Sequence, residues 1–286
     1  MTTPTFASPL ISVAELASRT SQPDLLIVDC RFDLADTSRG RADYLAGHIP
    51  GAVYAHLDEQ LSGPKSATTG RHPLPSPQDF ARTLGRWGLT PDTLVVAYDQ
   101  ANGAYASRLW WMLRARGHAR VRVLDGGLSA WRTAGQPVEV TVPVIRPTAV
   151  APQAFAGVLD SQAVQSALAQ DKIALVDARG ADRFAGQNET LDPVAGHVPG
   201  ALNHPFMRNL GADGRFLDVQ QLRVNWQPTL AAAKNRPVVA MCGSGVTACH
   251  NLLALDLINH PAAQLYAGSF SEWITSPSRA VATGIA

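Results

Sequence analysis

The chain has 286 residues, 46% hydrophobic and 16% charged, enough apolar surface for two packed domains and too apolar for a disordered chain. Lys and Arg total 24 against 23 Asp and Glu, and a net charge of +1 gives no electrostatic case for nucleic acid or a membrane surface as partner. Cys30, Cys242 and Cys249 cannot all pair and lack zinc-site spacing, residues 1–10 lack a signal peptide's basic and apolar regions, and no run approaches the ~20 apolar residues that span a bilayer, so a soluble cytoplasmic protein is expected.

The first predicted strand is 25–29, Leu-Leu-Ile-Val-Asp, followed by Cys30 and Arg31. A turn-rich run, Gly47-His48-Ile49-Pro50-Gly51-Ala52, comes next. A helix over 77–87, a strand over 94–98 that ends on Asp99, a helix over 106–116 and a strand over 121–124 complete the first half. Continuous apolar strands separated by amphipathic helices predict a parallel sheet covered on both faces. Such an α/β unit carries its functional loops at the carboxyl ends of the strands.

The same landmarks then return. Val28-Asp29-Cys30-Arg31 recurs as Val176-Asp177-Ala178-Arg179, the Gly-His run as Gly196-His197-Val198-Pro199-Gly200-Ala201, and the segment from Gly126 to Trp131 as Gly268 to Trp273. A repeat near half the chain length means two tandem copies of one domain. The expected division is 1–136, an extended proline-rich linker over 137–152 lying across both halves, and 153–286.

The strand 237–241 closes on Cys242, which opens the run Cys242-Gly243-Ser244-Gly245-Val246-Thr247-Ala248 before an apolar helix over 249–257. Two glycines in four residues let successive N–H groups curl toward one point, and the helix adds its positive end there. Both favour a thiolate, so Cys242 is the candidate nucleophile. The matching position in the first half is Asp99, followed by Gln-Ala-Asn-Gly-Ala, with no thiol and one glycine. A carboxylate there is no thiolate and opposes an anion, so the first half is expected to lack this nucleophile. Cys249 and Cys30 read as core residues.

Tandem halves, strand-end Val-Asp-Xaa-Arg, Gly-His-(Ile/Val)-Pro-Gly-Ala and the Cys-Gly-Ser-Gly-Val-Thr-Ala loop together resemble the two-domain rhodanese-type sulfurtransferases over roughly 8–275, most closely the 3-mercaptopyruvate branch. The resemblance implies two rhodanese-like domains and transfer of a sulfane sulfur through a Cys242 persulfide to cyanide, a thiol or thioredoxin. It implies a monomer and calls for no metal or organic cofactor. Thiosulfate is the alternative donor, and a non-catalytic binding module a remoter reading that the intact Cys242 loop argues against. A phosphatase of related fold needs an Arg at the far end of its loop, and 242–248 has none.

The resemblance also implies roles for individual residues. Arg179 and Arg183 match positions that bind the donor's anionic group, although each has a nearby Asp, Asp177 or Asp182, to pair with instead. Gly243, Gly245, Val246 and Thr247 complete the donor loop. Ser244 is expected to work with His48 and an Asp of the first half on the leaving group, with Asp33, Asp36 and Asp43 all open as that acid. Some mercaptopyruvate-specific members carry a further Arg before the second Gly-His turn, whereas this chain reads Asn188-Glu189-Thr190-Leu191-Asp192-Pro193. The neutral Gly243-Ser244 pair points away from a dianionic donor.

Overall fold

A computed structural model describes residues 8–284. The first half runs β1 (Leu10–Ile11), α1 (Val13–Ala17), β2 (Leu25–Asp29), α2 (Arg39–Ala46), β3 (Val53–Tyr54), α3 (Pro77–Arg86), β4 (Leu94–Tyr98), α4 (Ala106–Ala115), β5 (Val121–Leu124) and α5 (Gly127–Thr133). The second runs β6 (Val158–Leu159), α6 (Ser161–Ala169), β7 (Ala174–Asp177), α7 (Ala181–Phe184), β8 (Leu202–Asn203), a 3-10 turn (Phe206–Asn209), α8 (Val219–Ala233), β9 (Val238–Met241), α9 (Thr247–Leu257), β10 (Gln264–Tyr266) and α10 (Ser269–Trp273).

Each half is a five-stranded sheet with every pairing parallel. The order is β1-β5-β4-β2-β3 in the first and β6-β10-β9-β7-β8 in the second, so the halves correspond strand for strand. Four consecutive residues of β2, β4, β7 and β9 are buried, as strands covered by helices on both faces require. The register is equivalent too. Asp29 lies beside Tyr98 and Asp177 beside Met241, which puts Asp99 and Cys242 at the same point of the two sheets.

The strands predicted at 25–29, 94–98 and 121–124 match residue for residue, and the predicted helices differ by a residue or two at their ends. The two-residue edge strands were not anticipated, nor was α8, whose capping box of Asp218 and Gln221 starts a helix that Pro228 would be expected to interrupt.

The halves share one core. Leu109, Trp110 and Leu113 of α4 belong to the same buried cluster as Cys249, Leu252 and Leu253 of α9, and the two helices pack together. The segment 137–152 makes its hydrogen bonds with the first half: Glu139 pairs antiparallel with His48, Thr148 bonds Gly85 and Leu89, and the Ala151 carbonyl accepts from Arg116. The C-terminal stretch repeats its opening, since Ala282 pairs with His197 and the Ala280 carbonyl takes the Trp273 indole N–H as the Pro137 carbonyl takes that of Trp131. No helix among the described residues is long and apolar enough to cross a membrane.

Candidate active site

β9 ends one residue before Cys242, and the chain turns sharply into α9. The N–H groups of Ser244 and Gly245 lie 3.4 and 3.1 Å from the Cys242 Sγ, as the glycine-rich loop led one to expect. Gly245 holds this curl at φ +80°, and a Cβ there would sit 2.2 Å from the Ala267 carbonyl oxygen, so the position admits only glycine. Two donors and the positive end of α9 thus converge where negative charge on sulfur would form.

The matching loop of the first half is filled differently. The Asp99 carboxylate accepts the N–H groups of Ala101, Gly103, Tyr105 and Ala106 at 2.9–3.2 Å, filling the nest with its own side chain. Burial raises its pKa despite those four bonds.

Cys242 opens onto a cavity of about 320 Å³ between the halves. Gly243, Ser244, Val246, Thr247, Arg179 and Arg183 line it from the second half, and Leu34, Arg71, His72, Asn102, Ala104 and Tyr105 from the first. Gly245 contributes its N–H rather than a wall.

The histidine that meets Ser244 is not His48. His48 is fully buried, its Nδ1 2.8 Å from the Tyr44 carbonyl and its Nε2 3.2 Å from that of Thr141, with the ring stacked on Tyr44. His197 in the second half repeats this, bonded to the Phe184 carbonyl and stacked on Phe184. Both Gly-His turns are therefore braces of the fold, and the expected relay through His48 is corrected. Instead, His72 Nδ1 lies 2.8 Å from Ser244 Oγ, and its Nε2 faces Asp58 Oδ1 at 3.5 Å. The carboxylate facing that histidine is Asp58, none of Asp33, Asp36 or Asp43. Burial first, and then the Arg108 charge, pull His72 down to about 3, so it is neutral near pH 7.

Arg179 lines the cavity with most of its guanidinium already engaged. Its Nε and Nη2 grip Asp177 at 2.7–3.2 Å, Nη2 also reaches the Gly196 carbonyl at 2.8 Å, and the guanidinium stacks on Phe270. Arg31 makes the same grip on Asp29 and the Gly47 carbonyl in the half without Cys242. That grip braces both halves alike, while the Nη1 of Arg179 makes no hydrogen bond and lies 3.6 Å from Glu189. Arg183 does face the cavity, paired with Glu189 at 2.8 Å and Asp192 at 3.3 Å. Arg71 crosses from the first half to pair with the other Asp192 oxygen. Its Nη2 would lie 2.7 Å from a Cβ on Gly243, so it sits directly over the nucleophile loop. Burial raises the Asp192 pKa against the pull of Arg71, whereas Glu189, though burial opposes it, is held down by the Arg183 hydrogen bonds.

Comparison with known proteins decides the family. The model of the rhodanese-like domain matches twice, over residues 12–134 and 160–276. The chain belongs to the rhodanese family. This rhodanese is 49% identical over 278 residues to a Pseudomonas aeruginosa protein named "Probable 3-mercaptopyruvate sulfurtransferase", covering 96% of this chain and 98% of that one. It is 35% identical over 264 residues to the thiosulfate sulfurtransferase of Cricetulus griseus, covering 88% and 85%. Among solved structures, the 3-mercaptopyruvate sulfurtransferase from Leishmania major superposes with a TM-score of 0.84 at 31% identity, over 95% of this chain and 75% of that one.

Three residues of this rhodanese's site escaped sequence reasoning: Asp58, His72 and Arg71. All lie in the irregular stretch 55–75, and Gly70-Arg71-His72-Pro73 carries the one available signal, an Arg-His pair set between a glycine and a proline in a loop.

Proposed function

We propose that the protein moves the sulfur of 3-mercaptopyruvate to a thiophilic acceptor (cyanide, a small thiol or thioredoxin) through a persulfide on Cys242. The observation that carries the choice of donor is the hydrogen bond between Ser244 and His72 beside the nucleophile. Attack by the Cys242 thiolate on the donor's sulfur forms an S–S bond and breaks the C–S bond, whose electrons leave on the carbon fragment as the enolate of pyruvate. That enolate needs a proton. With His72 carrying its proton on Nε2 toward Asp58, its Nδ1 accepts from Ser244, and the pair can take a thiol proton and return it to the enolate carbon with no net change. The acceptor then removes the outer sulfur and regenerates the thiolate.

Thiosulfate leaves as sulfite and needs positive charge rather than a proton. Arg71 and Arg183 line the cavity, but Asp192 and Glu189 already face them, which suits a single carboxylate better than a dianion. The donor carboxylate would take the outward N–H groups of Arg71 and Arg183.

Comparison of kcat/KM for the two donors, with intact mass after donor treatment, tests this. One added sulfur on Cys242 and a ratio favouring mercaptopyruvate are expected; a ratio favouring thiosulfate reverses the donor assignment and leaves the persulfide chemistry standing.

A further inference from the structure

Arg108, on α4 of the first half, is wholly buried. A buried guanidinium ordinarily has a carboxylate beside it, because an uncompensated charge in a protein interior is strongly unfavourable. Arg108 has no salt bridge among the described residues. Its partners are three backbone carbonyls: Nη1 donates to Gly245 at 3.0 Å, and Nη2 donates to His72 at 3.0 Å and to Leu61 at 3.4 Å. The groups facing it that can become anions are the thiols of Cys249 and Cys242.

Those carbonyls are a specific set. Gly245 is the residue whose N–H points at the Cys242 sulfur and whose left-handed backbone holds the loop curled. His72 is the partner of Ser244. Leu61 and His72 lie in the stretch that also carries Asp58. One planar fork from a helix of the first half therefore ties the nucleophile loop of the second half to the segment that carries both other members of the relay. Arginine suits this task because its donors diverge in a fixed plane, so its two terminal nitrogens cannot be displaced independently.

We propose that Arg108 is a positioning residue for the reaction, holding the Cys242 loop and His72 in register across the domain boundary. Arg108 touches neither donor nor acceptor and acts through the two backbones it grips. The proposal rests on the reading of Ser244 and His72 as the proton relay for a carbon leaving group. It makes the first half a contributor to catalysis through a side chain that has no chemistry of its own.

The test compares the full-length wild type with Arg108→Met, Arg108→Lys and His72→Ala, measuring kcat and KM for mercaptopyruvate and for thiosulfate with cyanide as acceptor. Thiosulfate requires the thiolate but not the relay, so a loss of general integrity lowers both donors alike. For Arg108→Met, kcat with mercaptopyruvate is expected to fall about thirty-fold or more and with thiosulfate about five-fold or less, with KM little changed, the scale of a catalytic group misplaced by about an ångström. Arg108→Lys, which keeps the charge and can reach one carbonyl, is expected to recover part of the donor ratio. Should Arg108→Met fail to fold, the ratio in Arg108→Lys decides. An unchanged donor ratio in the Arg108 variants, with a lowered one in His72→Ala, overturns the positioning role alone. An unchanged ratio in His72→Ala overturns the relay, and the proposal with it.

Discussion

His72 Nδ1 and Ser244 Oγ meet at 2.8 Å although 172 positions separate them in the chain. The contact crosses the boundary between two halves, one of which lacks a nucleophile, and it makes that half part of the site. If the pair is the relay, Ser244→Ala and His72→Ala each lower turnover of mercaptopyruvate by about 10²–10⁴-fold, the usual worth of a positioned acid or base. Turnover of thiosulfate falls far less. The double variant should lose little beyond either single one, since the two act as a unit. Equal losses for both donors sink the idea.

His48→Ala is expected to behave differently. It removes a ring wedged between two backbone carbonyls and stacked on Tyr44, leaving a void in a buried turn. The consequence is a stability loss of about 2–4 kcal/mol with the donor ratio intact, measured by urea unfolding alongside kinetics.

The three cysteines separate cleanly by environment. Burial pushes the Cys249 thiol up to about 12 and raises Cys30 well above its ordinary range. Donor treatment followed by peptide mapping should place the added sulfur on Cys242 only. Cys242→Ser abolishes transfer with the fold intact, and Cys30→Ser and Cys249→Ser keep most activity. Sulfur found on either of the other two refutes the assignment.

His72 also links stability to pH. Its folded pKa of about 3 lies below the ordinary 6.5, so the stability it contributes is complete above pH 6.5 and is lost as pH falls toward 3. Each unit of pH in that window removes about 1.4 kcal/mol for one proton. Between pH 6.5 and 5 the wild type should therefore lose about 2 kcal/mol more than His72→Asn. Urea titrations of the two proteins at pH 7 and pH 5 provide the comparison, and parallel losses contradict it.

Three arginines are expected to divide between donor binding and stability. Arg71→Ala and Arg183→Ala should raise KM for mercaptopyruvate about ten-fold or more, the worth of a charge-assisted hydrogen bond, with unfolding midpoints little changed. Arg179→Ala leaves the buried Asp177 unpaired and should destabilise by about 3–5 kcal/mol. If Arg179→Ala instead folds normally and loses only donor affinity, the original expectation of a donor contact returns.

The repeated halves, the central strands and the Cys242 loop were legible in the sequence because each is written within a few consecutive residues. An apolar run flanked by helical patterns makes a buried parallel strand, and two glycines beside a strand-end cysteine make a nest, whatever lies elsewhere. Even the architectural nature of the Gly-His turns was open to inference, since they occur in both halves while the glycine-rich Cys242 loop occurs in one. Asp58, His72, Arg71 and Arg108 reach their positions otherwise. They come from a loop without periodicity and a helix of the first half, and meet the Cys242 loop only because α4 and α9 pack into one shared core. Arg179 shows the converse, a residue expected to bind the donor whose Nε and Nη2 the fold engages and whose Nη1 it leaves without a hydrogen bond. Local backbone chemistry decides where a thiol can be activated; which side chains face it is decided by how two separately formed sheets dock, a matter of contacts between residues more than a hundred positions apart.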